Sequence, residues 1–149
     1  MKYRAYKHTS VNWAKSQTAI TKLLNQRGIF EHQFTNVKDR FVLQFRVVEN
    51  GISKPIAVRI IVPFQTEPDS KDREKETNSL HRVLFYHLKA KFNAVESGLT
   101  EFMEEFMAHL IITDKSGKSS TMGDMLLPQY KQSLESGEQG DFKLLGDGK

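Results

Sequence analysis

Cysteine is absent from this 149-residue chain, which excludes disulfides, thiolate zinc sites and a cysteine nucleophile together. The absence fits a reducing interior, and a cytoplasmic location is expected. No apolar run approaches the ~18 residues of a membrane-spanning helix. The start, Met1-Lys2-Tyr3-Arg4-Ala5-Tyr6-Lys7-His8, is basic, but no long apolar stretch follows, so no signal peptide is expected. Internal repeats are lacking, as are a Gly-x-Ser-x-Gly nucleophile elbow and a His-x-x-x-His zinc pair. No catalytic residue, metal ligand or cofactor is assigned, and the expectation leans away from an enzyme.

Acidic residues are scarce in one half. Residues 1–64 hold eleven Lys/Arg against three acids, Glu31, Asp39 and Glu49, a formal +8. Residues 65–149 hold eleven bases against fifteen acids, a formal −4. The net +4 therefore hides a basic half joined to an acidic one. A local positive field raises encounter rates with phosphates, so this asymmetry points toward a polyanion partner.

A chain of this length buries roughly 68–70% of its unfolded surface and needs no covalent staple. One α+β domain is expected over 11–134. A basic and aromatic segment, 1–10, precedes it, and a Gly-rich, charged, mobile tail, 135–149, follows. Residues 11–27 read as a helix whose apolar face holds Trp13, Ala19, Ile20, Leu23 and Leu24, with Thr9 or Ser10 as cap and Gly28 at the left-handed end. Asn50-Gly51 reads as a two-residue type I′ hairpin turn, which pairs Phe45 with Ile56, Leu43 with Val58 and Phe41 with Ile60. A strand over 30–35, returning through a loop at 36–39, sets Phe34 against Phe41 and Phe30 against Phe45. The result is a three-stranded antiparallel meander with one apolar face. Its other face shows Arg40, Arg46 and Arg59 among polar neighbours.

A long helix over 72–97 buries Leu80, Leu84, Leu88, Phe92 and Val95, and its first, charged turns are expected to protrude. Short C-terminal helices and a small hairpin are expected to complete the core. One helix covers 101–108, with Thr100 as its cap; the last opens at Thr121 and runs toward Leu134 through Pro128. The meander is expected to be packed on one face by the first and the long central helix. The order helix, three strands, helix over 11–97 resembles that of double-stranded-RNA-binding domains. The likeness is one of element order. The Lys-Lys-x-Ala-Lys cluster that such domains carry at their second helix is replaced here by Ser70-Lys71-Asp72-Arg73-Glu74-Lys75-Glu76.

Three motifs have bland readings. Ser116-Gly117-Lys118-Ser119 lacks the upstream glycine of a phosphate loop, where Ile112 stands, and reads as a turn. Glu101, Glu105 and His109 recur at helical spacing and could hold a metal, yet they lie opposite Phe102 and Phe106 and read as a solvated face. His32 falls on the apolar sheet face and reads as a hydrogen-bonded interior residue.

The leading expectation is a small non-enzymatic nucleic-acid-binding or nucleoprotein accessory protein. Phosphates would meet Lys2, Arg4, Lys7, Lys15, Lys22, Arg40, Arg46 and Arg59, and bases would stack on Tyr3 and Tyr6. The alternative is a protein-interaction module that docks an acidic surface or a second copy of itself. A metal-dependent hydrolase or nuclease built on Glu101, Glu105 and His109 stands third.

Overall fold

Asn12 opens the first helix, α1 (Trp13–Asn25), because its side-chain oxygen accepts the Ala14 amide at 2.7 Å in the computed structural model. That model describes residues 6–137, 140 and 144–146. The cap is thus Asn12 rather than Thr9 or Ser10: its short side chain reaches the orphan amide two residues on. At the far end Gly28 is left-handed (φ +76°), and Ile29 N–H returns to the Leu24 carbonyl at 3.1 Å. This Schellman closure turns the chain sharply and sets Ile29 into the core beside Leu24.

Three strands follow, β1 (His32–Val37), β2 (Arg40–Val47) and β3 (Ile56–Pro63), in the antiparallel order β1-β2-β3. The apolar and polar faces are those expected, but both registers are displaced by two residues. Leu43 pairs with Ile60 rather than Val58, and Phe34 with Leu43 rather than Phe41. Because side chains alternate with period two, such a slip leaves every residue on its own face. The turn accounts for the β2–β3 case: Asn50 does not take the positive φ that a two-residue type I′ turn requires, so the connection lengthens and the ladder shifts. The observed ladder begins at Val47–Ile56 and leaves Pro55 in the loop.

That loop spans 48–55, and Asn50-Gly51 is not a type I′ turn: Gly51 has φ +84° but Asn50 does not have a positive φ. Ile52 N–H bonds to the Glu49 carbonyl at 3.2 Å around it. The β1–β2 connection is tighter than expected, with Val37 and Arg40 paired across Lys38-Asp39. Phe30, expected in the strand, lies outside the ladder and is exposed.

The next helix, α2 (Arg73–Glu96), lays Leu80, Leu84, Leu88 and Phe92 into one core with Ile20, Leu24, Phe41, Leu43, Phe45, Val58 and Ile60. Each such buried side chain contributes about 1.5–3 kcal/mol. The two helices run parallel. Trp13 N–H donates to Asn78 Oδ1 at 2.8 Å near their N-termini, and Arg27 Nε donates to Glu96 at 2.8 Å near their C-termini. They thus form one layer on the apolar face of the meander.

The charged start of α2 does not protrude throughout. Glu76 is 2% exposed, and its carboxylate accepts from Gln65 N–H (2.8 Å), Thr66 N–H (3.1 Å) and Thr66 Oγ1 (2.6 Å). Arg73 donates to the Thr66 and Lys38 carbonyls and lies 4.0 Å from the Phe64 ring centroid. These bonds fasten the loop before α2 to the helix itself.

A short helix, α3 (Phe102–Glu105), is capped by Glu101, whose reciprocal partner is Glu104. A single 3₁₀ turn, Met107–His109, follows, so the helix expected to reach residue 108 stops early. A hairpin of β4 (Ile111–Thr113) and β5 (Ser119–Thr121) adjoins β3 through a Val58–Leu110 bridge. Finally α4 (Met122–Ser136) starts at Thr121, whose Oγ1 accepts the Asp124 amide at 3.2 Å as expected, and continues past Leu134. Of the apolar residues in the tail, Phe142 lies outside the described residues, and Leu144 and Leu145 are exposed. Among the described residues no helix is long and apolar enough to cross a membrane.

Candidate nucleic-acid interface

The fold distributes the expected basic residues over two opposite surfaces. Arg40, Arg46 and Arg59 occupy the outer sheet face, and each is engaged. Arg40 pairs with Asp39 at 3.0 Å, and Arg46 holds Glu31 through Nε (2.7 Å) and Nη2. Arg59 donates to Gln44 Oε1 at 2.9 Å. Two of these three charges are thus answered by a carboxylate. Exposed pairs of this kind are worth up to about 1 kcal/mol, so they lower the local potential more than they stabilise the sheet.

The helical layer is different. Lys15 and Lys22 stand seven residues apart on α1, so they share a face; both are exposed, and α1 contains no acid. On α2, Lys75, Arg82, Tyr86 and Lys89 recur at i, i+7, i+11 and i+14, which places them on one stripe. That stripe lies away from Leu80, Leu84 and Leu88. Neither the α1 lysines nor these α2 cations form an ion pair among the described residues.

Tyr6 and Lys7 lie against the same helix. Tyr6 stacks on Tyr86 with ring centroids 5.3 Å apart and planes 14° from parallel. Arg82 lies 4.8 Å from the Tyr86 centroid and donates to its hydroxyl at 3.0 Å. Phe85 meets Tyr86 edge-on. Lys7 joins Asp72, Lys75, Glu76 and Ser79 around a recess of about 250 Å³. Lys2, Tyr3 and Arg4 lie outside the described residues.

Sequence reading singled out Lys7, Lys15, Lys22 and Tyr6 but missed Lys75, Arg82, Tyr86 and Lys89. Their seven-residue recurrence on a helix was the available signal. It was overlooked because the C-terminal half is acidic on average.

The other motifs have resolved partners. Asp114 Oδ1 accepts Ser116 N–H (2.9 Å), Ser116 Oγ (2.5 Å) and Lys118 N–H (3.0 Å), and Gly117 N–H bonds the Asp114 carbonyl (3.0 Å), so the amides of Ser116, Gly117 and Lys118 are spent on a turn. Those bonds, the Ser116 hydroxyl foremost, hold the Asp114 carboxyl below its ordinary pKa. Glu105 receives Lys91 Nζ on its carboxylate (3.1 Å) and its carbonyl (2.8 Å), and the break in α3 takes His109 off the stripe with Glu101. Among the described residues no group of three His, Asp or Glu side chains could hold a metal ion. Burial, and then nearby Lys91, lowers the pKa of both His87 and His109. His32 is hydrogen-bonded, its Nε2 lying 3.1 Å from Thr21 Oγ1, and it pairs with Phe45 in the sheet rather than with Leu43.

No family model matches this chain, and no curated protein or solved structure is significantly similar to it.

Proposed function

We propose that this protein is a small non-enzymatic cytoplasmic nucleic-acid-binding or nucleoprotein accessory protein that holds phosphates on the solvent side of its helical layer. One observation carries the reading. The lysines of α1 and the Lys75–Arg82–Lys89 stripe of α2 make no ion pair among the described residues, whereas two of the three sheet arginines meet carboxylates. Such a cation can replace condensed counterions on a phosphate backbone without first losing a carboxylate partner. The sheet arginines, part of the interface expected from sequence, become secondary.

A second reading rests on α4. None of its residues is buried, and Leu126, Leu127, Tyr130 and Leu134 are exposed along one side. Exposed apolar surface of this kind marks protein contacts, and a second copy of the chain is the simplest partner.

Oligonucleotide binding at low salt, measured beside light scattering, separates the two. The triple variant Lys15→Gln, Lys22→Gln, Lys89→Gln should weaken binding of all sequences alike, and more than Arg40→Gln, Arg46→Gln, Arg59→Gln does. Equal loss from both variants would remove the preference for the helical layer. No binding, with a dimer that persists at high salt, would favour α4, because apolar association is not screened.

A further inference from the structure

We infer that Tyr6, stacked on Tyr86, is a platform for one base of a single-stranded nucleic acid, which makes single strands the preferred ligand. The inference rests on the phosphate-binding reading above and adds a second, non-ionic contact to it.

Tyr6 and Tyr86 are large aromatic residues on the surface, 46% and 38% exposed although each covers part of the other. A ring that is covered on one face and still so exposed offers its second face to a ligand. Parallel stacking at 5.3 Å sets the pair up as the beginning of a column that a planar base extends. Arg82 braces Tyr86 through its hydroxyl and also lies over the Phe85 ring, 5.1 Å from its centroid. The platform therefore does not need to be assembled when the ligand arrives.

Backbone strain supports the same residue. Tyr6 has φ +61° and is the single non-glycine residue at positive φ among those described. A bulky L-residue there costs of order a factor of ten in population or more. A tight turn in which Thr9 N–H bonds the Tyr6 carbonyl at 3.0 Å holds it. The conformation brings the ring onto α2 between two cations of its stripe. Arg82 and Lys89 lie about one turn to either side of Tyr86, roughly 5–6 Å along the axis. Phosphates flanking a stacked base would meet those cations. A duplex hides its base faces in its own stack and gains nothing from the ring.

The test compares three fluorescent probes of equal length: an oligothymidylate, the same backbone with abasic sites, and a duplex. Wild-type protein should bind oligothymidylate about tenfold more tightly than the abasic strand, the range expected for one stacked base. Tyr6→Leu should abolish that difference and leave duplex binding unchanged, while Tyr6→Phe, which keeps the ring, should retain it. Circular dichroism of both variants reports that the fold is intact. Equal affinity of wild type for the thymidylate and abasic strands would overturn the platform and leave the phosphate reading standing. So would a Tyr6→Leu variant that still discriminates. Binding of none of the three probes at low salt would overturn both.

Discussion

Buried polar side chains are costly unless they find a partner, and His81 meets that condition at both ring nitrogens. The imidazole is fully buried on α2 and stacks on Phe41 with centroids 4.0 Å apart. Nδ1 lies 2.8 Å from the Thr77 carbonyl, which can only accept, so Nδ1 carries the proton. Nε2 is then left as the acceptor for the Gln17 amide nitrogen at 3.0 Å. Both ring nitrogens are satisfied by the neutral form alone. Burial lowers the His81 pKa, and the Thr77 bond only partly opposes it.

The linkage follows from that direction. An unfolded His titrates near 6.5, so below that pH the unfolded chain binds a proton that folded His81 refuses. Stability is full above about pH 6.5 and declines as pH falls toward the depressed folded pKa. His87 and His109 act in the same direction. Urea unfolding between pH 7.5 and 5 should therefore show falling stability on acidification. His81→Phe should flatten the curve while costing about 1–3 kcal/mol at neutral pH, because Gln17 and Thr77 lose their partner. An unchanged pH slope in that variant would mean that His81 is not the group responsible.

At the scale of elements, the sheet separates what an amino-acid pattern specifies from what it leaves open. Alternation in 41–47 and 56–62 assigned every side chain to its face, because a shift by one residue would have turned Phe41, Leu43 and Phe45 outward. Even-numbered shifts preserve that pattern, so it was silent between the Leu43–Val58 and Leu43–Ile60 pairings. Asn50-Gly51 reads as a two-residue turn, but Asn50 does not take a positive φ, and the ladder starts only at Val47–Ile56. Cross-strand proton contacts should therefore join residues 43 and 60, and contacts between 43 and 58 as direct partners would contradict this register. Gly51→Val should still destabilise, by about 1 kcal/mol or more, since a β-branched residue at φ +84° is strained in any turn type. Equal stability of that variant would show that the loop relaxes at no cost. Helix ends were legible where a side chain reaches an amide, as at Thr121. They were misjudged by one or two residues where two polar candidates compete, as at Thr100 and Glu101.

For the whole molecule, the division into a basic and an acidic half of the chain is not a division of the surface. The fold sets α1, from the first half, alongside α2, from the second, so a cationic face draws on both. Summing charge along the sequence found Lys15 and Lys22 and passed over Lys75, Arg82 and Lys89, although two acids of the same helix are committed. Glu76 is buried among amides, and Glu96 is held by Arg27. Conversely, Arg40 and Arg46 contributed to the +8 yet meet Asp39 and Glu31 once strands bring them together. Pairings of this kind depend on strand register, which composition does not record. The most direct test of where a polyanion sits is an amide chemical-shift titration of the full chain with a short oligothymidylate at low salt. Shifts should concentrate in α1, at 6–8 and along 75, 82, 86 and 89, and should reverse as salt is added. Shifts confined to 40, 46 and 59 on the outer sheet face, or none at a saturating excess of the strand, would contradict the account.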